Sequence, residues 1–295
     1  MYKRVLLIAT MSLMNLLVGC AKEEVNTSVA ASETPLPIAT EAPTPFPLTT
    51  MAPEEVYAPQ KVCRIEFGDY DVMFNEEIET AATPYTLSLV SEEENNVSEI
   101  LTWYEENELF LPVLGVKWGE LRDMEAAPDV KELADSFESV FYDDNYVYES
   151  SGTMLNIYAK EDMTWLYQVE YDMDQWYLMG NCASLIDGVL YMEYLYNGYA
   201  MPDTCFMMAY DLENDTILWR SEDQTCNTMN ILIKGDVIFC GYGFTAEKDY
   251  LYQIDRHTGK VIAKTELKKM PDMMAFKDNQ LYIHTYSYDY VFEVK

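Results

Sequence analysis

The amino-acid sequence predicts an all-β domain over residues 61–295, and three observations lead to that prediction. Short apolar strands recur on both sides of two-residue turns made of Asp, Asn and Gly, which tolerate the positive φ of tight hairpins. A second hairpin stands between most of these, so that a complete unit contains four strands. The units return about every 42 residues, which is the spacing of four-stranded antiparallel blades in a β-propeller.

The first kind of hairpin is marked by the second residue of its turn, with apolar and aromatic residues on either side. The six segments are RIEFGDYDVMF at 64–74, LTWYEENELFL at 101–111, SVFYDDNYVYE at 139–149, SLIDGVLYME at 184–193, ILIKGDVIFC at 231–240 and MAFKDNQLYIH at 274–284, with the markers Asp69, Asn107, Asn145, Gly188, Asp236 and Asn279. Six markers predict six blades, and the length of the domain allows about five to seven.

The second kind of hairpin has a longer turn rich in Asp, Asn, Glu or Gly. It occurs as SLVSEEENNVSEIL at 88–101, IYAKEDMTWLY at 157–167, AYDLENDTILW at 209–219 and QIDRHTGKVIA at 253–263. The last repeat stops at Lys295 after its third strand. Because an open strand edge invites aggregation, we expect a segment within 53–60 to pair beside residues 290–294 and close the ring.

The region between Leu111 and Ser139 departs from the repeat. Its second hairpin is poorly marked, and residues 129–137 have the composition of a helical turn. Two alternatives remain open here. The region is either a degenerate blade whose outer strands have drifted, or an insertion or separate α+β unit that precedes a smaller propeller.

Two segments of the second kind resemble the blade motif of PQQ-like propellers, a WD40-like repeat family, roughly Ala-x-Asp-x-x-Thr-Gly-x-x-x-Trp. The matching residues are Ala209, Asp211 and Trp219 in the first segment and Asp255, Thr258 and Gly259 in the second. Asn214 and Asp215 stand where Thr-Gly is usual, and Ala263 replaces the second tryptophan. The repeats are clearer over 182–295 and divergent over 61–181.

The resemblance implies a fold more than an activity. Quinoprotein dehydrogenases of this superfamily hold a calcium-bound quinone and place a vicinal cysteine pair near it, and this chain has no Cys-Cys dipeptide. We therefore predict no cofactor and carry over no catalytic residue. Lipoproteins with PQQ-like blades include an assembly factor for outer-membrane proteins, so the resemblance implies a scaffolding role.

The N-terminus has the pattern of a secretory signal. Lys3 and Arg4 precede an apolar run that ends at Val18, too short for a membrane-spanning helix of ~20 residues. The run closes on Leu17-Val18-Gly19-Cys20, which resembles the lipobox of bacterial lipoproteins. The resemblance implies a signal peptide at 1–19 and a diacylglyceryl group on the sulfur of Cys20, which would place the protein on the outer face of the bacterial cell membrane.

Residues 20–60 are predicted to be a disordered tether. The segment TPLPIATEAPTPFPLTTMAP is rich in Pro, Thr and Ala, and proline favours extended chain that cannot form a core. Such a tether would carry the domain at 61–295 away from the membrane. The domain organisation is therefore a signal peptide, a lipidated tether and a single repeat domain.

The charge of the chain limits its partners. It carries 19 Lys plus Arg against 51 Asp plus Glu, a formal net charge of −32. Such a surface opposes nucleic-acid binding, which depends on neutralising phosphates, and it is also repelled by anionic lipid. The acidity fits a solvated exterior, or attraction of cations or basic partners. Hydrophobic residues make up 49% of the chain, too many for a disordered protein.

Five cysteines remain after Cys20. They are Cys63, Cys182, Cys205, Cys226 and Cys240, and no two form a CxxC pair. An odd number leaves at least one unpaired. Buried free cysteine is the expected state for most of them, although an oxidising exterior permits a disulfide.

The sequence contains little that indicates catalysis. His257 and His284 are the two histidines, and they lie in different repeats. DLENDT at 211–216 alternates acidic side chains as calcium loops do, but it lacks the loop glycine and the distal Glu. No nucleophile elbow, zinc motif or phosphate loop is present. We predict no catalytic or metal-binding residue and no enzyme. The expected function is binding or scaffolding of a surface protein or envelope component; the alternative is a propeller-based glycan hydrolase or lyase.

Overall fold

Regular structure in the described part of the chain consists of β-strands and one short helix. The computed structural model describes residues 58–65, 72–79, 81–95, 100–109, 113–114, 139–151, 154–171, 176–177, 182–196, 205–243 and 247–295. These residues belong to one unit of the chain, Glu55–Lys295, and the other unit, Met1–Glu54, lies outside them. The predicted signal peptide and most of the predicted tether therefore fall outside the described residues.

The elements follow one another mainly as short antiparallel strands. In chain order they are β1 (Lys61–Ile65), β2 (Leu87–Glu94), α1 (Ile100–Glu106), β3 (Val113–Leu114), β4 (Ser139–Tyr142), β5 (Tyr146–Ser151), β6 (Met154–Ala159), β7 (Trp165–Tyr171), β8 (Trp176–Tyr177), β9 (Ala183–Ile186), β10 (Val189–Tyr196), β11 (Phe206–Asp211), β12 (Thr216–Arg220), β13 (Leu232–Lys234), β14 (Val237–Tyr242), β15 (Asp249–Asp255), β16 (Val261–Leu267), β17 (Pro271–Lys277), β18 (Gln280–Thr285) and β19 (Tyr288–Val294).

The strands form four sheets, each built on a four-stranded antiparallel arrangement. Sheet 1 contains β4 to β7 in order, with β3 added beside β4 and β1 beside β7. Sheet 2 contains β9 to β12, and β8 pairs with the far end of β10. Sheet 3 contains β13 to β16, and sheet 4 contains β17 to β19 with β2 as its fourth strand. The predicted all-β class with four-stranded antiparallel units is confirmed.

The turn residues explain why the hairpins form where the sequence places them. Asp187 and Gly188, between β9 and β10, have φ values of 52° and 81°. Gly235 and Asp278 occupy the corresponding turns of sheets 3 and 4 with φ values of 57° and 55°. Glycine and aspartate adopt this left-handed backbone more readily than most residues, so each turn fixes the register of its hairpin.

Two of the six predicted first hairpins are wrong. The segment 101–111 begins with α1 and not with a strand, and Asn107 lies in the turn that follows the helix, while Trp103 and Tyr104 on α1 are buried. The described ends of the segment 64–74 do not pair with each other either. Ile65 pairs with β7 of sheet 1 and Met73 with Arg220 of sheet 2, and the marker Asp69 lies outside the described residues.

The strand that pairs beside residues 290–294 is not the predicted one. Residues 58–60 do not reach sheet 4, since the N–H of Gln60 donates to the carbonyl oxygen of Trp165 in sheet 1 at 3.0 Å. The strand beside β19 is β2, with a register that runs from Leu87 opposite Val294 to Glu94 opposite Tyr288. The predicted hairpin at 88–101 is accordingly the end strand of sheet 4 followed by α1.

The core joins the sheets through apolar side chains. One buried cluster includes residues of all four sheets and of α1, and a second lies between sheets 3 and 4. The cysteines Cys63, Cys182, Cys205, Cys226 and Cys240 are all buried and form no disulfide with one another, which matches the interpretation of cysteine as a small core residue. None of the helices in the described ranges is long and apolar enough to cross a membrane.

Candidate functional site

The N-terminal strap, defined as the described residues between 58 and 95, contacts the four sheets in turn. It begins at sheet 1, where β1 pairs in parallel with β7 along all five of its residues. The buried Sγ of Cys63 donates to the carbonyl oxygen of Leu212, in the β11–β12 turn of sheet 2, at 3.6 Å. The first strand of the strap therefore bridges sheets 1 and 2.

The strap next crosses sheets 2 and 3. Met73 and Arg220 exchange two backbone hydrogen bonds of 3.2 and 2.7 Å, which adds a single bridge to the outer edge of β12. The N–H of Asn75 then donates to the carbonyl oxygen of Thr258, in the β15–β16 turn, at 3.2 Å. Main-chain bonds thus hold the strap to each sheet that it crosses.

Side chains of sheet 3 form hydrogen bonds with the strap backbone just before the strap enters sheet 4. The side-chain amide of Gln253 accepts a hydrogen bond from the N–H of Tyr85 at 2.8 Å and donates one to its carbonyl oxygen at 2.9 Å. The carboxylate of Asp255 accepts a bond from the N–H of Ala82 at 2.7 Å. These bonds satisfy strap backbone groups that no sheet strand pairs with, immediately before β2 begins.

Exposed apolar side chains are concentrated on the N-terminal strap. Among the described residues, seven large hydrophobic side chains are exposed, and six of them belong to the strap: Val62, Val72, Met73, Ile78, Leu89 and Val90. The seventh, Tyr286, lies in the β18–β19 turn, one residue from Ser287, which accepts a backbone bond from Asn95 at the end of the strap. Such concentration marks a candidate interaction surface.

The same strap is acidic. Its exposed carboxylates are Glu76, Glu77, Glu79, Glu92, Glu93 and Glu94. Lys260 lies 2.9 Å from Glu76 and Lys268 pairs with Glu92, so two of these six carboxylates have a lysine partner. An exposed surface that is both apolar and acidic suits a partner with apolar and basic side chains.

The structure gives both histidines structural partners. His257 lies in the β15–β16 turn, where its Nε2 is 2.9 Å from the carboxylate of Asp236. His284 is 2% exposed, and its Nδ1 lies 2.7 Å from Oδ1 of Asp289. Asn95 at the end of the strap donates to the same oxygen at 2.9 Å. The two histidines are in different sheets, and the second helps to fix the strap.

The acidic segment 211–216 forms hydrogen bonds that stabilise the β11–β12 turn. Asp211 accepts hydrogen bonds from the N–H groups of Glu213 and Asn214 at 2.9 and 3.0 Å, and also from the Asn214 amide. These bonds hold the pKa of the Asp211 carboxyl below its ordinary value. Across the described ranges, no group of three or more His, Cys, Asp or Glu side chains is arranged to hold a metal ion.

The residues that carry the PQQ-like resemblance connect sheet 2 with sheet 3. Trp219 is 1% exposed, and its Nε1 donates to the carbonyl oxygen of Arg256 at 2.9 Å. Gly259, with a φ of 79°, leaves room for the indole, because a Cβ there would lie 2.6 Å from the ring. Asp255 accepts bonds from two N–H groups in the same turn. The motif serves packing and turn formation.

One buried carboxyl has no ordinary partner. Glu193 on β10 is fully buried, and neither of its oxygens forms a hydrogen bond of normal geometry. The thiols of Cys182 and Cys226 face it, and they are weak donors. Burial raises the pKa of Glu193 to about 8. Burial also raises the pKa of both thiols well above the ordinary value, so the cluster is largely uncharged at neutral pH.

The sequence did not predict the strap. Local patterns predict the end of a tether and hairpins at 64–74 and 88–101 in this part of the chain, whereas the exposure of the apolar side chains depends on which sheets the strap crosses. The run Glu92-Glu93-Glu94, separated from Leu89 and Val90 by Ser91, is the available signal, since such a run is typical of a solvated edge strand. The predicted lipidation residue Cys20 lies outside the described residues.

Comparison with known proteins gave structural likeness only. No family model and no curated protein matches this chain. BamB from Moraxella catarrhalis is 11% identical over 52% of this chain and 56% of its own, with a TM-score of 0.33. A europium-containing methanol dehydrogenase is 12% identical over 63% and 28%, with a TM-score of 0.33. Glutaminyl cyclase from Myxococcus xanthus is 11% identical over 53% and 74%, with a TM-score of 0.34.

Proposed function

We propose that this chain is a lipid-anchored protein on the outer face of the bacterial cell membrane whose repeat domain binds or scaffolds another envelope protein. The lipobox-like Leu17-Val18-Gly19-Cys20 supports the anchor, and the Pro-rich tether supports presentation of the domain away from the membrane. The concentration of exposed apolar side chains on the N-terminal strap carries the binding function.

We further propose that the domain is a PQQ-like β-propeller in which the four sheets are blades. Each sheet is a meander of adjacent strands in chain order, and sheet 4 receives its outer strand from the N-terminal side of the domain. Strand donation between the two ends of a domain closes propellers against an open edge. The turn markers Asn145, Gly188, Asp236 and Asn279 each fall in one of the four blades.

The distribution of exposed side chains supports binding over catalysis. Most large apolar side chains of the described residues are buried, and six of the seven exposed ones lie along the strap, so the strap is where an apolar partner surface would make contact. The exposed apolar side chains lie on the strap, and hydrogen bonds to the four sheets hold the described parts of the strap in place. A partner would therefore bind to a surface that is already ordered. Both histidines have carboxylate partners that account for their positions. We therefore propose a protein that is not an enzyme, rather than a glycan hydrolase or lyase.

Site-specific photo-cross-linking in the intact bacterium tests the proposal. A photoreactive amino acid would replace Val62 or Val90 of the full-length chain, and matched controls would carry it at Asp144 or Asn145 in the exposed β4–β5 turn. We expect the strap positions to cross-link to a discrete envelope protein and the control positions not to do so. Equal cross-linking at all four positions, or none at the strap, would contradict the proposed binding surface.

A further inference from the structure

We propose that the outer edge of β2 binds a basic partner segment in extended conformation, as an additional strand of sheet 4. This inference rests on the proposed binding function and specifies its partner chemistry. β2 pairs with β19 on one side, and no strand among the described residues pairs with its other side. An unpaired strand edge presents a row of backbone donors and acceptors, and extended peptides bind to such edges through main-chain hydrogen bonds.

The pairing with β19 shows which backbone groups face the open edge. Thr86 and Lys295 exchange two hydrogen bonds of 2.8 and 3.1 Å. Because hydrogen-bonded and non-hydrogen-bonded pairs alternate in an antiparallel ladder, Leu87 and Leu89 direct their N–H and C=O groups away from β19. The bulge in the register falls between Leu89 and Ser91. A partner strand would therefore find its first bonding positions at Leu87 and Leu89.

The side chains beside this edge supply an apolar contact. Leu89 is 55% exposed and Val90 is 57% exposed. Leu89 lies opposite Phe292, which is buried in the cluster between sheets 3 and 4. An apolar side chain of an added strand would extend that cluster outward over Leu89. This contact would contribute to the free energy of binding as an ordinary cross-strand pair does, in addition to the main-chain hydrogen bonds.

The charge of the edge selects the partner. Glu92, Glu93 and Glu94 are consecutive, so they present carboxylates on both faces of β2. Two copies of this edge would repel each other, which opposes self-association. A strand with Lys or Arg at the corresponding positions would be attracted, both locally and by the net charge of −32.

Within the described ranges, the outer strands of the other sheets differ from β2. β1 is the outer strand of sheet 1, and it exposes Val62 and Arg64 but carries no acidic side chain, while Met73 bridges the outer edge of β12. β16 ends sheet 3 within the described ranges, but it presents the exposed Lys264 at its centre, and an edge lysine opposes strand addition. Of the four outer strands, β2 alone combines an open edge with exposed apolar side chains and an acidic run.

Synthetic octapeptides test the inference on the full-length chain in detergent. The probe alternates lysine and valine and carries a fluorophore, and its binding is followed by anisotropy at low and high salt. A control peptide replaces every lysine by glutamate, and a second control carries N-methyl groups on alternate residues, which removes the main-chain donors. We expect the probe to bind and to weaken with salt, the acidic peptide not to bind, and N-methylation to weaken binding by more than about tenfold.

A pair of variants locates the site. Leu89→Pro removes the N–H that faces the open edge without removing a bond to β19, whereas Leu89→Ala shortens the same side chain and keeps that N–H. We expect Leu89→Pro to abolish probe binding and Leu89→Ala to weaken it less. If Leu89→Pro also lowers the melting temperature strongly, loss of probe binding could result from unfolding. In that case the comparison of the parent and N-methylated peptides on the unaltered chain tests strand addition.

The outcomes separate this inference from the proposed function. Equal binding of the parent and N-methylated probes, or equal effects of Leu89→Pro and Leu89→Ala, would overturn strand addition. If photo-cross-links at Val62 and Val90 persist in either case, the binding function stands without this mode. Binding of the acidic peptide as tightly as the basic one would overturn the charge selection.

Discussion

The side-chain amide of Gln253 mimics a neighbouring strand, since it accepts a hydrogen bond from the N–H of Tyr85 and donates one to its carbonyl oxygen. Gln253 is 2% exposed and belongs to sheet 3, while Tyr85 lies just before β2 of sheet 4. The strap is thus aligned with β19 by a side chain of the adjacent sheet. The edge proposed to bind a partner depends on that alignment.

Gln253→Ala is expected to loosen the strap ahead of the rest of the domain. Loss of two buried hydrogen bonds costs about 1–3 kcal/mol, because the Tyr85 backbone groups are left without partners. Hydrogen exchange should quicken at Thr86 and Ser88, whose N–H groups face β19, more than at β14 or β15. Gln280→Ala, which removes a half-buried amide bonded to Tyr282, is the matched control. Uniform quickening in all four sheets would show that Gln253 acts on global stability alone.

Trp219→Ala is expected to destabilise the contact between sheets 2 and 3. Truncation of a buried tryptophan costs about 3–5 kcal/mol, and here the hydrogen bond to Arg256 is also lost. Thermal unfolding should show a strong fall in melting temperature. Trp165→Ala in sheet 1 is the control, because that ring is half-buried and its Nε1 bonds within the same sheet. A shift no larger than that of the control would contradict the packing role.

Stability is expected to fall as pH rises from about 5 to 8. Burial raises the pKa of Glu193 from 4.5 to about 8 in the folded chain, so the folded state binds a proton that the unfolded state has released over this range. The stabilising effect is complete below pH 4.5 and is lost as pH passes through the folded pKa. The free energy of unfolding should decline by up to about 1.4 kcal/mol per pH unit.

Two substitutions check the source of this pH dependence. Glu193→Gln should flatten the dependence of the unfolding free energy on pH between 5 and 8, whereas Glu213→Gln on an exposed turn should leave it unchanged. Chemical denaturation at several pH values measures both. A slope that survives in Glu193→Gln would assign the effect to another group, of which Asp272 is the first to examine, since burial raises its pKa to about 6.

Cys20→Ala is expected to abolish lipid modification. The acyl chains are proposed to be attached to this thiol, and they supply the apolar surface that holds the protein at the membrane. Metabolic labelling with an alkyne fatty acid and detergent-phase partitioning would measure the loss. Cys63→Ala, which alters a buried thiol, should keep both signals. Unchanged labelling of Cys20→Ala would refute the anchor.

Local patterns predicted much of the fold. The hairpins around Asn145, Gly188, Asp236 and Asn279 follow from turn residues that accept positive φ and from apolar strands on either side, and all four are present. The burial of Trp219 followed from its motif position. These features depend on residues within about a dozen positions of one another, so the local sequence is sufficient to predict them.

Segments that pair with distant strands were predicted less well. LTWYEENELFL has the appearance of a hairpin, but α1 forms there because Trp103 and Tyr104 pack into a core contributed by other sheets. The strand beside residues 290–294 is predicted within 53–60 and is β2 instead. Both segments have local sequences compatible with two structures, and contacts that are remote in the chain choose between them.

The sequence by itself determined the all-β class, the four-stranded antiparallel unit, the acidity of the chain and the lipobox-like pattern at Cys20. Each of these depends on composition, on turn chemistry or on short spacing. Only the tertiary structure decided that residues 58–95 cross four sheets and that β2 completes the last one. The physical reason is that a strand's partner is fixed by hydrogen bonds and packing across the chain, here between residues about 200 positions apart such as Leu87 and Val294. The exposure of Leu89 and Val90, and with it the proposed binding edge, exists only once that pairing is made.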